Sequence, residues 1–85
     1  MIEIEIYTTP HCGFCIAAKR LLNKKGVPYK EIDVMMEPAK RDEMTRRAGG
    51  CTSVPQVFIG GKHLGDCSGL MEMDQEGTLD DHLGL

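Results

Sequence analysis

A chain of 85 residues has room for one small domain, taken here as residues 1–85, and for little more. Hydrophobic residues at 41% and charged residues at 27% exclude a disordered chain, and a net charge of −3 leaves no basic field to hold nucleic acid. No apolar run approaches the ~18 residues of a membrane span, and Glu3 and Glu5 stand where a signal peptide carries base, so a cytoplasmic protein is expected.

Ile2, Ile4 and Ile6 alternate with Glu3, Glu5 and Tyr7, which predicts a strand over residues 2–7 with one face only partly covered. Pro10 stops it. Ala17, Ala18, Leu21 and Leu22 recur at helical spacing over residues 16–25, with Lys19, Arg20, Asn23, Lys24 and Lys25 facing out. Two lysines in the last turn suit the negative end of that helix, and Gly26 suits the position after it. A second strand is predicted over residues 29–34, after Pro28. Met36-Glu37-Pro38 marks a helix start, with proline at the first helical position. The pairs Asp42/Arg46 and Glu43/Arg47 carry this helix to Ala48, and Gly49-Gly50 ends it.

Val57-Phe58-Ile59 reads as a short strand, Gly60-Gly61 as a two-residue hairpin turn, and residues 62–65 as the returning strand. Leu70, Met71 and Met73 fit a short helix. Thr78 with Asp81 three residues later resembles a capping box for a last turn ending near Leu83. The order β-α-β-α-β-β-α predicts two parallel strands joined by a right-handed crossover, then a hairpin. An α/β fold of the thioredoxin-like kind follows, with a four-stranded mixed sheet flanked by helices.

The chemistry concentrates in Cys12-Gly13-Phe14-Cys15, which follows the first strand and opens the first helix. The first turn of a helix leaves backbone N–H groups unpaired, and their partial positive charge favours an anion. A thiol there is expected to ionise more easily than a free cysteine, and the thiolate is the nucleophile. Spacing of i, i+3 brings both sulfurs to one side of the turn, where a bridge can close and open. In a reducing compartment such a pair points to redox chemistry rather than to a static disulfide.

The chain resembles the glutaredoxins along nearly its whole length. The resemblance rests on Ile6-Tyr7-Thr8 before the Cys12–Cys15 motif, on Ala18-Lys19-Arg20-Leu21-Leu22, on Ser53-Val54-Pro55-Gln56-Val57-Phe58-Ile59-Gly60, and on Gly65-Asp66-Cys67-Ser68-Gly69-Leu70. It implies a glutathione-dependent thiol–disulfide oxidoreductase in which Cys12 attacks and Cys15 closes the bridge. It implies a cis Val54–Pro55 bond that pairs strand-fashion with the cysteinyl part of glutathione. The γ-glutamyl carboxylate would sit near Asp66, Cys67 and Ser68, on a helix N-terminus. His11 and Phe14, which flank the thiols, are counted with the glutathione-facing residues. His11 is open to two readings, a plain loop residue or a cation beside Cys12. Phe14 is expected to stand exposed as an apolar contact for partners.

The chain departs from many glutaredoxins at Thr9 and Ser68, where lysine and aspartate are usual, and at Gly65-Asp66, where Gly-Gly is usual. It also lacks a proline between its cysteines. Arg46 or Arg47 is left to meet the glycyl carboxylate. Glutathione, disulfide-containing proteins and glutathionylated proteins are the expected partners of a monomer. Cys12-Gly13-Phe14-Cys15 also resembles the motif of cluster-carrying members, so a shared [2Fe–2S] cluster on Cys12 is an alternative, as is reduction by thioredoxin reductase. No other metal is expected. Cys51 and Cys67 form no second pair; Cys67 reads as a small residue beside the groove or as a secondary oxidation site. Lys19 reads as a solubilising residue, His63 and His82 as surface residues, and Met35, Met36, Met44, Met71 and Met73 as core filler.

Overall fold

The alternating isoleucines near the N-terminus set the position of every other element. The computed structural model describes residues 2–85; Met1, part of the stretch read above for its charge, lies outside them. Eight elements follow in order: β1 (Ile4–Thr8), α1 (Gly13–Lys24), β2 (Lys30–Asp33), α2 (Pro38–Arg47), β3 (Gln56–Ile59), β4 (Lys62–Gly65), α3 (Cys67–Glu76) and α4 (Leu79–Leu83). The sheet order is β2-β1-β3-β4. β1 runs parallel to β2 and antiparallel to β3, and β3 and β4 form the hairpin. Gly60 and Gly61 take φ of 60° and 80° at its turn, the double left-handed geometry that matches strand twist.

Each face of the sheet has its own apolar cluster. Ile4, Ile6, Val57 and Ile59 pack with Ala18, Leu21 and Leu22 of α1, Cys67 and Leu70 of α3, and Leu79 and Leu83 of α4. Tyr7 and Phe58 point the other way, against Val34, Met44 and Ala48. Fully burying a side chain such as Ile6 or Leu70 contributes roughly 1.5–3 kcal/mol.

The second face is closed rather than partly open, and the reason is charge pairing. Arg47 Nη2 donates to Glu5 Oε1 at 2.9 Å, and Arg47 Nη1 donates to the Tyr7 hydroxyl at 2.7 Å. The Tyr7 hydroxyl donates in turn to Glu43 Oε1 at 3.1 Å. The guanidinium carbon lies 4.2 Å from the centre of the Phe58 ring. Arg47 thus turns inward and still keeps its expected i, i+4 ion pair with Glu43, at 3.9 Å. Asp42 and Arg46 both remain exposed.

Other expectations shift in detail. β1 begins at Ile4 and extends to Thr8. α1 begins at Gly13 because Cys12 caps it, and α3 begins at Cys67 because Asp66 caps it, its Oδ1 accepting from Gly69 N–H at 2.9 Å. Thr78 makes no side-chain cap; its hydroxyl donates back to the Met73 carbonyl at 3.4 Å. Lys25 does not face out, because its ammonium reaches Asp74 at 2.8 Å and Asp80 at 2.7 Å, tying α1 to α3 and α4. Met44 is core, but Met35 and Met36 are 60% and 78% exposed, since they lie in the β2–α2 connection. Among the described residues, no helix is long and apolar enough to cross a membrane.

Arg47→Ala strands Glu5 and removes the cover from Phe58. It is expected to lower unfolding stability by about 2 kcal/mol, the scale of a lost charged hydrogen bond, as read from the urea midpoint. A loss under about 0.5 kcal/mol, the scatter of ordinary surface substitutions, would reduce Arg47 to a surface charge.

Candidate functional site

β1 ends at Thr8, and the loop Thr9-Pro10-His11 turns the chain into α1. The turn needs His11 in the left-handed region, at φ 63°, which L-residues adopt uncommonly. Cys12 follows in extended conformation, φ −98° and ψ 111°, and is itself the N-cap of α1. Its Sγ accepts from the Cys15 N–H at 3.1 Å, and its carbonyl accepts from the Ile16 N–H at 3.1 Å. A cap is usually an oxygen of serine, threonine, aspartate or asparagine; here a sulfur takes that place. Any negative charge on Sγ faces the positive end of the helix and a donor already aimed at it.

The two thiols are free and unequal. Cys12 is half-buried, whereas Cys15 is 1% exposed. Burial pushes the Cys15 thiol up to about 12, and its hydrogen bond with Cys12 adds to that. The Thr9 backbone and the Lys19 charge act in the opposite direction. The arrangement offers one sulfur to incoming molecules and keeps the second as a protonated thiol behind it.

A cleft of about 210 Å³ opens beside the pair. Phe14, Val54, Pro55, Asp66, Cys67 and Ser68 line it together with Ser53. Six of the seven residues expected to face glutathione are therefore brought to one place. The Val54–Pro55 bond is cis, as the resemblance implied. The Val54 carbonyl oxygen lies 4.0 Å from Cys12 Sγ. Phe14 is 69% exposed. His11 is exposed on the loop and does not line the cleft. Cys67 is buried at the first turn of α3; burial raises its thiol, helped by the negative charges of Asp66 and Cys12. Cys51 is exposed. A larger hollow of about 380 Å³, lined by residues of 2–4 and 28–30, lies at the far end of β1 from both thiols.

Several supporting contacts were not legible in the sequence. Buried Gln56 donates through Nε2 to the Ser53 carbonyl at 3.0 Å, and its Oε1 meets His63 Nε2 at 2.7 Å. His63 is therefore half-buried against Phe58, ring centres 5.1 Å apart, rather than a free surface residue; His82 is exposed. Arg41 Nη2 donates to the Thr52 carbonyl at 2.9 Å and pins the loop from the α2 side. Of the two arginines expected to meet the glycyl carboxylate, Arg47 is engaged by Glu5 and Tyr7, and Arg46 stays exposed on α2. Lys19 is not merely solubilising: its ammonium pairs with Glu31 Oε2 at 3.0 Å, and the Thr8 hydroxyl donates to the same oxygen at 2.8 Å.

A parallel β-α-β unit with a dithiol at the helix start, faced by a cis-proline loop, defines a thioredoxin-like thiol–disulfide oxidoreductase. The family model described as glutaredoxin matches residues 4–64. Glutaredoxin 3 of Escherichia coli strain K12 is 45% identical over 80 residues, covering 94% of this chain and 95% of that protein. A glutaredoxin of Pseudomonas aeruginosa is 45% identical, covering 94% of each. Among solved structures, glutaredoxin from Brucella melitensis matches with a TM-score of 0.85 at 43% identity, covering 98% of this chain and 89% of that one. A buckwheat glutaredoxin–glutathione complex matches with a TM-score of 0.88 at 31% identity, covering 98% and 77%. The chain belongs to the glutaredoxin family and is a thiol–disulfide oxidoreductase.

Burial orders the cysteines. Brief iodoacetamide treatment of the reduced protein near neutral pH is expected to label Cys51 and Cys12 before Cys15 and Cys67, as mapped by peptide mass. Early labelling of Cys15 would contradict its burial. The folded protein also prefers Cys15 as a thiol. That preference favours folding below about pH 9, its ordinary value, and is lost as pH rises toward about 12. The stability difference between wild type and Cys15→Ser should shrink over that window; a constant difference would oppose the raised value.

Proposed function

We propose that the protein uses glutathione to reduce glutathione mixed disulfides and protein disulfides through Cys12 and Cys15. The observation that carries this reading is the position of Cys12 Sγ: half-exposed at the start of α1 and 4.0 Å from the Val54 carbonyl, at the mouth of the cleft that ends on α3. The cysteinyl part of glutathione would pair with Val54, opposite Cys12, and stack its edge along Pro55. The γ-glutamyl group carries both a carboxylate and an ammonium. By helix geometry the N–H groups of Cys67 and Ser68 have no intrahelical partner and suit the carboxylate. The Asp66 carboxylate suits the ammonium. Arg41, which the Thr52 contact brings to the loop, takes the glycyl carboxylate in place of Arg47. The buckwheat relative solved with glutathione supports this ligand.

In the first step the Cys12 thiolate attacks a glutathionylated protein at the glutathione sulfur. The Cys12–glutathione bond forms, the protein–glutathione bond breaks, and the protein thiolate leaves and takes a proton. A second glutathione attacks the mixed disulfide, giving glutathione disulfide and free Cys12. With a protein disulfide, Cys12 forms a mixed disulfide with the protein, and Cys15 attacks Cys12 to close the bridge and release the second protein thiol. Two glutathiones then reopen the bridge. The raised thiol of Cys15 fits this later role, because it does not compete as the first nucleophile. We place the protein in the cytoplasm as a single-domain monomer, with Phe14 as an apolar contact for protein substrates.

The test is glutathione-dependent reduction of a glutathionylated peptide. Cys12→Ser is expected to lose at least a thousandfold, on the order of other nucleophile deletions. Cys15→Ser retains this reaction and loses the protein-disulfide route. A wild type inactive with glutathione but active with thioredoxin reductase would overturn the reading. A brown dimer after anaerobic iron reconstitution, bleached by Cys12→Ser, would show instead that Cys12 serves a shared [2Fe–2S] cluster.

A further inference from the structure

Outside the cleft, one charged network sits beside the reacting pair without a part in the mechanism above. Lys19 lies one helical turn after Cys15, so the two side chains share a face of α1. The Lys19 ammonium is not left to wander. Glu31 on β2 holds it at 3.0 Å, and Glu31 is held by the hydroxyl of Thr8, which is 2% exposed. Thr8 is the last residue of β1 and leads into the loop whose Thr9 backbone bonds to Cys15. The Thr8 hydroxyl, and after it Lys19, hold Glu31 below the usual carboxylate range; the hydrogen bond to Glu31 holds Lys19 above the usual ammonium range. Both groups are therefore charged near neutral pH.

We infer that Lys19 is a positioning residue of the bridge-closing step: Glu31 and Thr8 anchor its ammonium on the Cys15 side of α1, where it steadies the negative charge that Cys15 must take on to attack. The inference rests on the reading that Cys15 closes the bridge. The groups that bear on the Cys15 sulfur are Cys12 and Lys19 on its own helix and the Thr9 backbone from the loop; Glu31 and Tyr29, from the β2 side, act on Lys19. Cys67, on α3, feels the charge of Cys12 after that of Asp66.

The balance among them changes during the reaction. In the reduced protein, Cys12 opposes ionisation of Cys15 by its hydrogen bond and its charge. Once Cys12 is bound in a mixed disulfide it carries neither a charge nor a thiol proton. Burial alone then opposes Cys15, and the Thr9 backbone and Lys19 favour its thiolate. Cys15 gives its proton to solvent base, its sulfur bonds to Cys12 sulfur, the bond from Cys12 to the substrate breaks, and the substrate thiolate leaves and is protonated. Two thiols are oxidised to one disulfide, and one substrate disulfide is reduced to two thiols. Lys19 takes no part in the bonds; it supplies a cation that favours the charge in transit.

Closure is measured as release of substrate thiol from a preformed mixed disulfide between Cys12 and a small aromatic thiol, followed by absorbance at several pH values. Lys19→Met, which keeps the apolar stem and removes the charge, is expected to slow closure roughly tenfold, as for a unit charge about one turn away. It should move the pH profile upward by about one unit. Lys19→Arg should restore most of the rate. In the Cys15→Ser background, glutathione-dependent deglutathionylation should be insensitive to Lys19→Met. Closure at the wild-type rate and pH profile in Lys19→Met overturns the inference, as does an equal loss with and without Cys15. If Cys15→Ser itself reduces protein disulfides as fast as wild type, the reading of Cys15 fails, and the role of Lys19 fails with it.

Discussion

The hydrogen bond from the Cys15 N–H to the Cys12 sulfur, 3.1 Å long, is the contact on which the site depends. It makes a sulfur the cap of α1, so the reacting atom sits where the backbone gathers partial positive charge. It also ties the second cysteine, three residues on and within the first turn, to the sulfur of the first. Nothing cationic has to be brought into the cleft for this; the peptide groups of the helix do it. The left-handed backbone of His11 is part of the same device, because it turns the chain so that Cys12 enters the helix in extended form.

Depth then divides the labour between two chemically identical side chains. Cys12 lies at the rim and Cys15 lies beneath it at 1% exposure. A buried thiol resists ionisation, so the inner sulfur stays protonated while the outer one reacts. That difference is created by the packing of α1 on β1, and a C-x-x-C motif lying flat on a surface would lack it. Cys67, which lines the cleft beside the pair, is a second buried thiol, held as a thiol chiefly by burial.

The wall opposite the cysteines is rigid for reasons that lie behind it. The loop through Val54 and Pro55 is held from below by Gln56, itself fixed by His63, and from the side by Arg41 through Thr52. Farther back, Arg47 joins α2 to the sheet by contacts with Glu5, Tyr7 and Phe58. These polar groups span the gap between the sheet face and a helix with little apolar surface; Met44 is its one buried residue. A site that must hold two sulfurs and a loop in register needs such support on both sheet faces.

By itself the sequence determined the element order, the parallel-then-hairpin topology, and the dithiol with its facing Ser53-Val54-Pro55 loop. The order, the topology and the dithiol follow from local signals: period-2 isoleucines, helical spacing of Ala17, Ala18, Leu21 and Leu22, Gly-Gly at the hairpin, and cysteine spacing; that the Ser53-Val54-Pro55 loop faces the dithiol was implied by the resemblance to glutaredoxins alone. The cap of α1 was only half legible, because cysteine is not a usual capping residue and the helix was expected to begin three residues later. Tertiary structure alone decided that Arg47 turns inward, that Lys25 bridges two aspartates, that Met35 and Met36 are exposed, and that Lys19 is anchored to Glu31. Each charged side chain among these finds its partner on an element distant in sequence, and the two methionines lie in the β2–α2 connection. Periodicity reports which face of a helix is apolar, but it carries no information about which opposite charge the fold will bring within reach.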